Sequence, residues 1–247
     1  MIGKDVIINE NGRYLHGRLF APKESGCFPC ILICHGYNSC KEAFFDYCEY
    51  LSARGVIALS ITFCGGSTRD ESGFPSTSMT METERDDAIA GIEYLKSLPY
   101  ADKNRVFLFG ESMGGMAGIM AAQKIQTGLS GLILLYPALC IAPDWKKRIP
   151  DEADLPETID FWGLKLGRNY LANLRTFDIF DLIPEITLPV LIFHGEKDKI
   201  VPVSYAVRAA QLLRDVRFMR FPSEGHGFGP NGRPISIRET LRFINRS

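Results

Sequence analysis

Residues 110–115 of this chain, Gly-Glu-Ser-Met-Gly-Gly, place a serine between glycines at a spacing that suits nucleophilic catalysis. A β-branched and aromatic run, Arg105 to Phe109, precedes them, and a small, helix-compatible run, Met116 to Gln126, follows. In a tight turn from strand to helix, the Ser112 hydroxyl is pushed out of the regular backbone, and a Cβ at either flanking glycine would collide with the strand or the helix. The pattern therefore predicts that Ser112 is a nucleophile.

A glycine-rich phosphate-binding loop is the competing interpretation of this turn. Such a loop needs a Gly-Lys-Ser/Thr ending or a Gly-x-Gly-x-x-Gly spacing, and neither occurs at residues 110–115. Cys27 and Cys30 form a Cys-x-x-Cys pair, but no second pair follows that would complete a metal site. We therefore expect no metal and no cofactor.

A serine hydroxyl attacks a carbonyl only when a base accepts its proton, and the chain has four histidines. His16 lies in an N-terminal hairpin, whereas His35 and His194 each end a strand just before a glycine. His226 lies in a loop between the last strand and the last helix, Pro222 to Gly227, from which its ring can reach a neighbouring turn. We predict that His226 is the general base and then the general acid.

The second imidazole nitrogen needs a carboxylate that fixes the tautomer and stabilises the imidazolium. Residues 194–202, His-Gly-Glu-Lys-Asp-Lys-Ile-Val-Pro, supply two candidates, Glu196 and Asp198. The oxyanion that forms during attack also needs backbone N–H donors aimed at it. By position, these are the N–H groups of Met113, directly after the nucleophile, and of Tyr37, in a His-Gly-Tyr turn at the end of a strand.

These turns and loops belong to a regular alternation of strands and helices. Asn11-Gly12 between two alternating runs predicts an opening β-hairpin of Val6 to Asn9 and Arg13 to Phe20. Apolar runs predict buried strands, and amphipathic runs predict helices. The strands are Cys30 to His35, Val56 to Phe63, Arg105 to Phe109, Leu129 to Tyr136, Leu188 to His194 and Val216 to Phe221, and the helices are Lys41 to Arg54, Thr83 to Leu98, Met116 to Gln126, Ser204 to Leu213 and Ile235 to Ile244.

Strands that alternate with helices imply right-handed crossovers and a mostly parallel sheet covered on both faces. The loops at the carboxyl ends of such strands meet in one crevice, where ligands bind. Residues 138–183 break the alternation with prolines, charges, both tryptophans and a predicted helix over Leu164 to Leu174. We predict a single α/β domain, residues 1–247, in which residues 138–183 form a cap.

Composition narrows the class of protein. The chain has 247 residues, of which 46% are hydrophobic and 23% charged, and a formal net charge of −1, which is ordinary for a soluble globular protein. That charge predicts no nucleic-acid partner and no attraction to an anionic membrane. No signal peptide is visible at the N-terminus, and the longest apolar run, Leu129 to Pro143, is too short to span a bilayer. An odd count of seven cysteines does not suit a disulfide framework. These observations predict a cytoplasmic protein, and a homodimer is left open.

Three stretches together resemble the α/β-hydrolase family over nearly the whole chain: the serine turn, residues 35–38 (His-Gly-Tyr-Asn) and residues 194–202. The resemblance implies an α/β-hydrolase fold. Because that family carries its acid in the pattern His-Gly-x-x-Asp-x-x-Val-Pro, the resemblance favours Asp198 over Glu196. The order nucleophile, acid, base along the chain is also the order of that family. Within it, the sequence resembles most the small bacterial cinnamoyl and feruloyl esterases.

In those esterases an aspartate and a tyrosine from the cap hold the phenolic end of the substrate, and the resemblance places these at Asp144 and Tyr170. The aromatic residues expected to wall the crevice, and so to contact substrate, are Tyr37, Phe74, Trp145 and Phe228. The chain departs from these relatives in two places. Residues 146–148, Lys-Lys-Arg, form a basic cluster that we interpret as a solvated loop face, and residues 63–67 read Phe-Cys-Gly-Gly-Ser where the relatives have Asn-Gly-His-Gly.

The sequence therefore predicts a serine carboxylic-ester hydrolase that acts on a small, partly apolar ester through an acyl-enzyme. Two alternatives are left open. A thioesterase or an aminoacyl peptidase could use the same three side chains, and a hydrolase-like binding protein could have lost catalysis. The presence of serine, acid and histidine in the family's order argues against the loss of catalysis.

Overall fold

The structure, a computed structural model, describes residues 2–246. Its strands are β1 (Ile2–Glu10), β2 (Arg13–Ala21), β3 (Phe28–Cys34), β4 (Ile57–Thr62), β5 (Ala101–Glu111), β6 (Gly131–Leu135), β7 (Thr158–Phe161), β8 (Leu164–Gly167), β9 (Val190–Gly195) and β10 (Val216–Phe221). Its helices are α1 (Phe45–Ser52), α2 (Met81–Ser97), α3 (Met113–Ile125), α4 (Ile141–Arg148), α5 (Arg168–Asn173), α6 (Ile179–Leu182), α7 (Val203–Leu212) and α8 (Gly232–Ile244). Among residues 2–246, no helix has the length and apolarity that crossing a bilayer requires.

Within the described residues, one eight-stranded sheet has the order β1-β2-β4-β3-β5-β6-β9-β10. Strand β2 pairs antiparallel with β1 and β4. The other neighbouring pairs of this sheet are parallel: β4-β3, β3-β5, β5-β6, β6-β9 and β9-β10. Asn11 (φ 50°) and Gly12 (φ 84°) have the positive φ that a tight turn between β1 and β2 requires. The prediction of a mostly parallel sheet that opens with an antiparallel hairpin is confirmed.

Apolar side chains cover both faces of this sheet. Every residue of β4 and β6 is buried, as expected for strands that are packed on both sides. On β3, Leu32 packs into the core that contains the apolar residues of α2 and α3. Its neighbours Ile31 and Ile33 pack into a second core that contains residues of α1 and α8. The alternating side chains of one strand therefore serve two separate layers of helices.

The segment of residues 138–183 differs most from its prediction. The predicted helix over Leu164 to Leu174 is wrong in its first part, because residues 164–167 form β8, which pairs with β7, and the helix α5 begins at Arg168. Trp162 (φ 44°) and Gly163 (φ 81°) form the tight turn between these strands. Such turns usually carry Asn-Gly or Asp-Gly, so a Trp-Gly pair does not indicate one in the sequence.

The seven cysteines are free thiols: Cys27 is exposed, and the other six are buried. Burial raises the pKa of Cys30 to about 12. A cysteine binds a metal as the thiolate, so a thiol with this pKa is a poor ligand at neutral pH. The buried cysteines therefore pack as small hydrophobic residues.

Glu84 on α2 is a buried carboxyl group whose protonation can be tested. It is fully buried, and neither carboxylate oxygen has a hydrogen-bond partner among residues 2–246. Burial and then the charge of Asp87 raise the pKa of Glu84 well above its usual range. The unfolded chain releases this proton above about pH 4.3. Between the pKa of Glu84 in the unfolded chain and its raised pKa in the folded protein, folding takes up a proton, and the stability of the wild type falls as the pH rises.

Glutamine cannot ionise, so we expect the stability of Glu84→Gln relative to that of wild type to increase as the pH rises. The measurement is the difference in Tm between the two proteins at about pH 5 and about pH 8.5. One bound proton changes the free energy of unfolding by up to about 1.4 kcal/mol per pH unit, and about 1 kcal/mol shifts Tm by about 2–4 °C in a domain of this size. The exposed Glu82→Gln is the control, and its Tm difference should stay constant. The same Tm difference for Glu84→Gln at both pH values would contradict a protonated Glu84.

Candidate active site

Ser112 lies between β5 and α3 without any intervening loop, since β5 ends at Glu111 and α3 begins at Met113. Its backbone has φ 50° and ψ −117°, a conformation that residues with a side chain adopt only at a cost of about 1–3 kcal/mol. The Ser112 side chain makes no capping hydrogen bond to its own helix. The hydroxyl is therefore available to partners outside the helix.

The close approach of backbones explains the glycines on each side of Ser112. A Cβ at Gly110 would lie 2.3 Å from the carbonyl oxygen of Gly114 on the helix. A Cβ at Gly114 would lie 2.3 Å from the carbonyl oxygen of His35, where β3 ends. Both distances are far inside van der Waals contact, so the predicted collision with helix and strand is confirmed.

The imidazole of His226 lies between Ser112 and Asp198. Its Nε2 is 3.0 Å from Ser112 Oγ, and its Nδ1 is 2.8 Å from Asp198 Oδ2. The ring of Tyr136 packs against it, with the two centroids 4.6 Å apart. The structure thus brings together a nucleophile, a base and an acid at hydrogen-bonding distance, which is the geometry that nucleophilic catalysis by serine requires. The catalytic roles of the three side chains stay predictions.

The carboxylate of Asp198 is buried and accepts hydrogen bonds on both oxygens. Oδ1 accepts the N–H groups of Ile200 at 2.9 Å and Val201 at 2.8 Å, and Oδ2 lies 3.4 Å from His194 Nε2. Burial alone would raise the pKa of Asp198, but the bonds from His194, His226 and Val201 hold it well below its usual range. An ionised Asp198 keeps a proton on Nδ1 of His226, which leaves Nε2 free to accept the serine proton.

The other titratable candidates from the sequence do not contact Ser112. Glu196 is exposed and pairs with Arg220 at 3.0 Å. His16 lies on β2, in the opening hairpin. His194 is fully buried on β9, where its Nε2 donates to the carbonyl of Val201 at 2.9 Å. None of these three side chains reaches Ser112, so the geometry selects Asp198 from the two acids that the residues alone left open.

Met113 and Tyr37, the predicted oxyanion donors, both line the cavity that contains Ser112. Met113 is the first residue of α3, and N–H groups in the first turn of a helix have no acceptor within the helix. The positive end of the helix dipole lies at the same point. This position suits a developing negative charge, although the role of the two N–H groups stays a prediction.

His35 and Glu111, to which the sequence analysis gave no functional role, form hydrogen bonds to the turn that contains Tyr37. The Nδ1–H of His35 donates to the carbonyl of Gly36 at 2.6 Å, and its Nε2 accepts the N–H of Phe63 at 3.0 Å. Burial lowers the pKa of His35 to about 4, so its ring is neutral and can keep one tautomer. Glu111 Oε2 accepts the N–H of Gly36 at 2.5 Å. The one sequence signal for Glu111 is an acid at the end of a buried apolar strand.

A cavity of about 420 Å³ opens over Ser112. The three predicted substrate-binding residues, Asp144, Tyr170 and Trp145, all line it. Its aromatic wall consists of Tyr37, Trp145, Phe161, Trp162 and Tyr170. The hydroxyl of Tyr170 donates to Met113 Sδ at 3.4 Å, and burial raises the pKa of Tyr170 well above its usual value, so the hydroxyl keeps its proton.

Two of the four aromatic residues expected to wall the crevice do not line this cavity. Phe228 packs against the ring of Tyr136, with centroids 5.2 Å apart. Phe74 packs against the hydrophobic core instead. Phe161 and Trp162, which belong to the β7–β8 hairpin and its turn, line the cavity in their place. The expectation for Phe74 and Phe228 is wrong because it did not include this hairpin.

The basic cluster of residues 146–148 is part of α4 rather than of a loop. The Arg148 guanidinium lies 4.9 Å from the ring centroid of Trp145 and 5.2 Å from that of Phe161, and the residue lines the cavity. The cluster is therefore helical rather than a loop, but the expected solvated face is borne out for Lys147 and Arg148, which are exposed. Trp145 lies three residues before Arg148 on α4, whereas the contact with Phe161 joins two separate segments, which the sequence pattern does not encode.

Cys140 also lines the cavity, and a thiolate there would compete with the serine as a nucleophile. Burial, followed by the charge of Asp144, raises the pKa of Cys140 to about 12. Cys140 is therefore held as the unreactive thiol. Ser112 is the cavity-lining hydroxyl that the structure pairs with a base.

Residues 43–247 match the prolyl oligopeptidase family, Peptidase S9. This is most of the chain, and the protein belongs to that family of esterase- and peptidase-like α/β-hydrolases. It is similar to "Esterase EstD" of Thermotoga maritima, with 26% identity over 224 residues that cover 79% of this chain and 52% of EstD. It is also similar to "Uncharacterized peptidase YtmA" of Bacillus subtilis, with 26% identity over 174 residues that cover 65% of this chain and 63% of YtmA. The chain thus spans only part of the length of both relatives.

A solved structure of Est1E from Butyrivibrio proteoclasticus, with ferulic acid bound, has the same architecture. The two chains superpose with a TM-score of 0.88 at 23% identity, over 98% of this chain and 100% of that one. At this level of identity the likeness establishes the fold. The prediction of an α/β-hydrolase fold is confirmed.

Proposed function

We propose that this protein is a serine carboxylic-ester hydrolase that acts on small esters with an aromatic, hydroxycinnamate-type acyl group. The observation that carries the proposal is the position of the His226 ring, 3.0 Å from Ser112 Oγ on one side and 2.8 Å from Asp198 Oδ2 on the other. This arrangement activates a serine hydroxyl for acyl transfer. The relative "Esterase EstD" supports an ester as the substrate, and the ferulic acid bound to Est1E supports a hydroxycinnamate acyl group.

In the first half-reaction, Ser112 Oγ attacks the ester carbonyl carbon while His226 Nε2 takes its proton. The backbone N–H groups of Met113 and Tyr37 stabilise the negative charge on the carbonyl oxygen, and one such donor typically contributes about 10²–10³ to kcat. Asp198, held ionised by its hydrogen bonds, stabilises the imidazolium. The intermediate then collapses, the C–O bond to the alcohol breaks, and His226 gives its proton to the departing oxygen.

In the second half-reaction, water replaces the alcohol. His226 removes a proton from this water as its oxygen attacks the carbonyl carbon of the acyl-enzyme. The bond to Ser112 Oγ then breaks, and His226 returns the proton to the serine. The free acid leaves, and the enzyme is restored. Neither step needs a cofactor or a metal, because base, nucleophile and oxyanion donors all come from the chain.

The cavity supports a small substrate with a flat apolar part. Its volume of about 420 Å³ lies within the usual range for small-molecule sites, about 300–1,000 Å³. Tyr37, Trp145 and Phe161 offer ring surfaces on which an aromatic acyl group can pack. In this proposal Asp144 and the hydroxyl of Tyr170 bind the phenolic end of the substrate.

We expect Asp144→Ala and Tyr170→Phe each to lower kcat/KM for methyl ferulate about tenfold more than for p-nitrophenyl acetate. The reason is that acetate has no phenolic group, and one hydrogen bond to a charged or buried partner typically contributes about 1.5 kcal/mol. The exposed Asp181→Ala on α6 is the control. Equal losses on both esters would remove the hydroxycinnamate assignment and leave ester hydrolysis standing.

A second function, peptide or thioester hydrolysis, is supported by the match to a peptidase family. The same three side chains can attack an amide or a thioester carbonyl. The three activities are separated by measuring kcat/KM for three substrates: an aryl ester, an aminoacyl p-nitroanilide and an acyl-CoA thioester. Their acyl groups are matched where the chemistry allows. A higher kcat/KM for the anilide or the thioester than for the ester would overturn the proposal in favour of that activity.

A further inference from the structure

The guanidinium of Arg148, in the cavity over Ser112, has no carboxylate partner among residues 2–246. It is the last residue of α4 and lines the cavity. The hydrogen bonds and ion pairs among residues 2–246 include none from its side chain. Other arginines of the protein do pair with carboxylates: Arg13, Arg18, Arg85, Arg217, Arg220, Arg233 and Arg242.

Aromatic rings hold Arg148 in place. Its guanidinium carbon lies 4.9 Å from the ring centroid of Trp145 and 5.2 Å from that of Phe161. A guanidinium over an aromatic face is attracted through its flat surface, so its N–H groups, which lie in its plane, remain available. A carboxylate matches that edge with two parallel hydrogen bonds. The N–H groups of Arg148, which is exposed, can therefore meet a planar anion while the two rings contact the guanidinium.

Arg148 shares the lining of the cavity with one other cation and two acids. Lys199 also lines the cavity, is exposed, and has no ion pair among the described residues. Of the two acids there, Glu111 accepts the N–H of Gly36 at 2.5 Å. The other, Asp144, lies against the Cys140 thiol and raises its pKa. Among the described residues, neither cation therefore has a carboxylate partner, whereas Glu111 has a backbone donor and Asp144 a thiol as neighbour.

We propose that Arg148 selects esters whose aromatic acyl group carries a carboxylate at the end remote from the ester bond. This substrate class rests on the proposed ester hydrolysis, and it has a carboxylate where the hydroxycinnamate class has its phenolic group. The ring of such a substrate packs on the aromatic wall, its ester reaches Ser112, and its free carboxylate meets Arg148. A carboxamide has the same shape without the charge and forms the weaker, uncharged pair.

Binding can be measured without turnover because both tryptophans of the chain, Trp145 and Trp162, line the cavity. In the Ser112→Ala protein, quenching of their emission reports the Kd of an intact ester. The probes are methyl 4-carboxybenzoate and the longer methyl 4-carboxycinnamate, each compared with its 4-carbamoyl isostere. At one length or both, we expect the carboxylate to bind about tenfold more tightly than the carboxamide.

Arg148→Gln in the same background should reduce that preference to about twofold or less. The matched control is Lys147→Gln, which removes the same charge from the neighbouring position of α4 and does not line the cavity. We expect this control to keep the preference. Equal Kd values for carboxylate and carboxamide at both lengths would overturn the inference. So would a preference that survives Arg148→Gln, or one that Lys147→Gln abolishes equally.

Turnover of the same four esters by the wild-type protein separates this inference from the proposed function. Hydrolysis of the esters without any preference for the carboxylate in binding overturns the role of Arg148 and leaves ester hydrolysis standing. A preference in binding that depends on Arg148, without hydrolysis of any ester, overturns ester hydrolysis. In that case Arg148 stays an anion-binding residue of the cavity.

Discussion

Replacing Ser112 by alanine should lower kcat for p-nitrophenyl acetate by about 10⁴–10⁶-fold, the range typical for loss of the nucleophile in serine hydrolases. Cys140, which also lines the cavity, has a pKa of about 12 and cannot take over as a thiolate at neutral pH. Alanine keeps the strained backbone at φ 50° and removes only the hydroxyl. The Tm should therefore stay within a few degrees of wild type.

The measurements are initial rates with the aryl ester and thermal unfolding followed by circular dichroism. Ser204→Ala is the control, because Ser204 is exposed on α7 and does not line the cavity. It should keep wild-type kcat. Activity of Ser112→Ala above about 1% of wild type, in a preparation free of other esterases, would contradict the role given to the serine.

Asp198→Asn should lower kcat by about 10⁴-fold with a much smaller change in KM. An amide nitrogen at this position can donate to Nδ1 of His226, which moves the imidazole proton to Nε2. Nε2 then cannot accept the proton of Ser112, which lies 3.0 Å away. The substrate does not contact Asp198 in the proposed mechanism, so binding is affected less than turnover.

The control for this variant is Glu196→Gln, which changes the other acid of the same loop. Glu196 is exposed and pairs with Arg220, so its loss should change kcat less than about twofold. The comparison decides between the two carboxylates that the residues alone left open. A large loss in Glu196→Gln together with a small loss in Asp198→Asn would reverse the assignment.

The sheet and the meeting of three distant side chains could be predicted because they follow from general rules. Buried apolar runs define parallel strands, and loops at the carboxyl ends of such strands meet at one edge of the sheet. Ser112 and His226, 114 residues apart in the chain, lie at hydrogen-bonding distance for this reason. The glycines beside Ser112 carry a steric signature that is visible in the sequence.

The wall of the cavity could not be predicted in the same way. The turn at Trp162 and Gly163 lacks the usual residues of a tight hairpin turn, so the strands that place Phe161 over the cavity left no clear pattern. The position of Arg148 depends on its contact with Phe161, which comes from a separate segment. The hydrogen bond from Gly36 to Glu111 involves a backbone donor, and backbone donors have no side-chain signature.

The central claim is that His226 activates Ser112 for attack, and labelling with a fluorophosphonate tests it most directly. The phosphonate reacts with a serine that a base deprotonates during attack. We expect the folded wild type to gain one adduct per chain, located by peptide mapping at Ser112, and we expect folded His226→Ala to gain almost none. A folded wild type that stays unlabelled, or a label at Ser112 that forms equally fast without the histidine, would contradict the account.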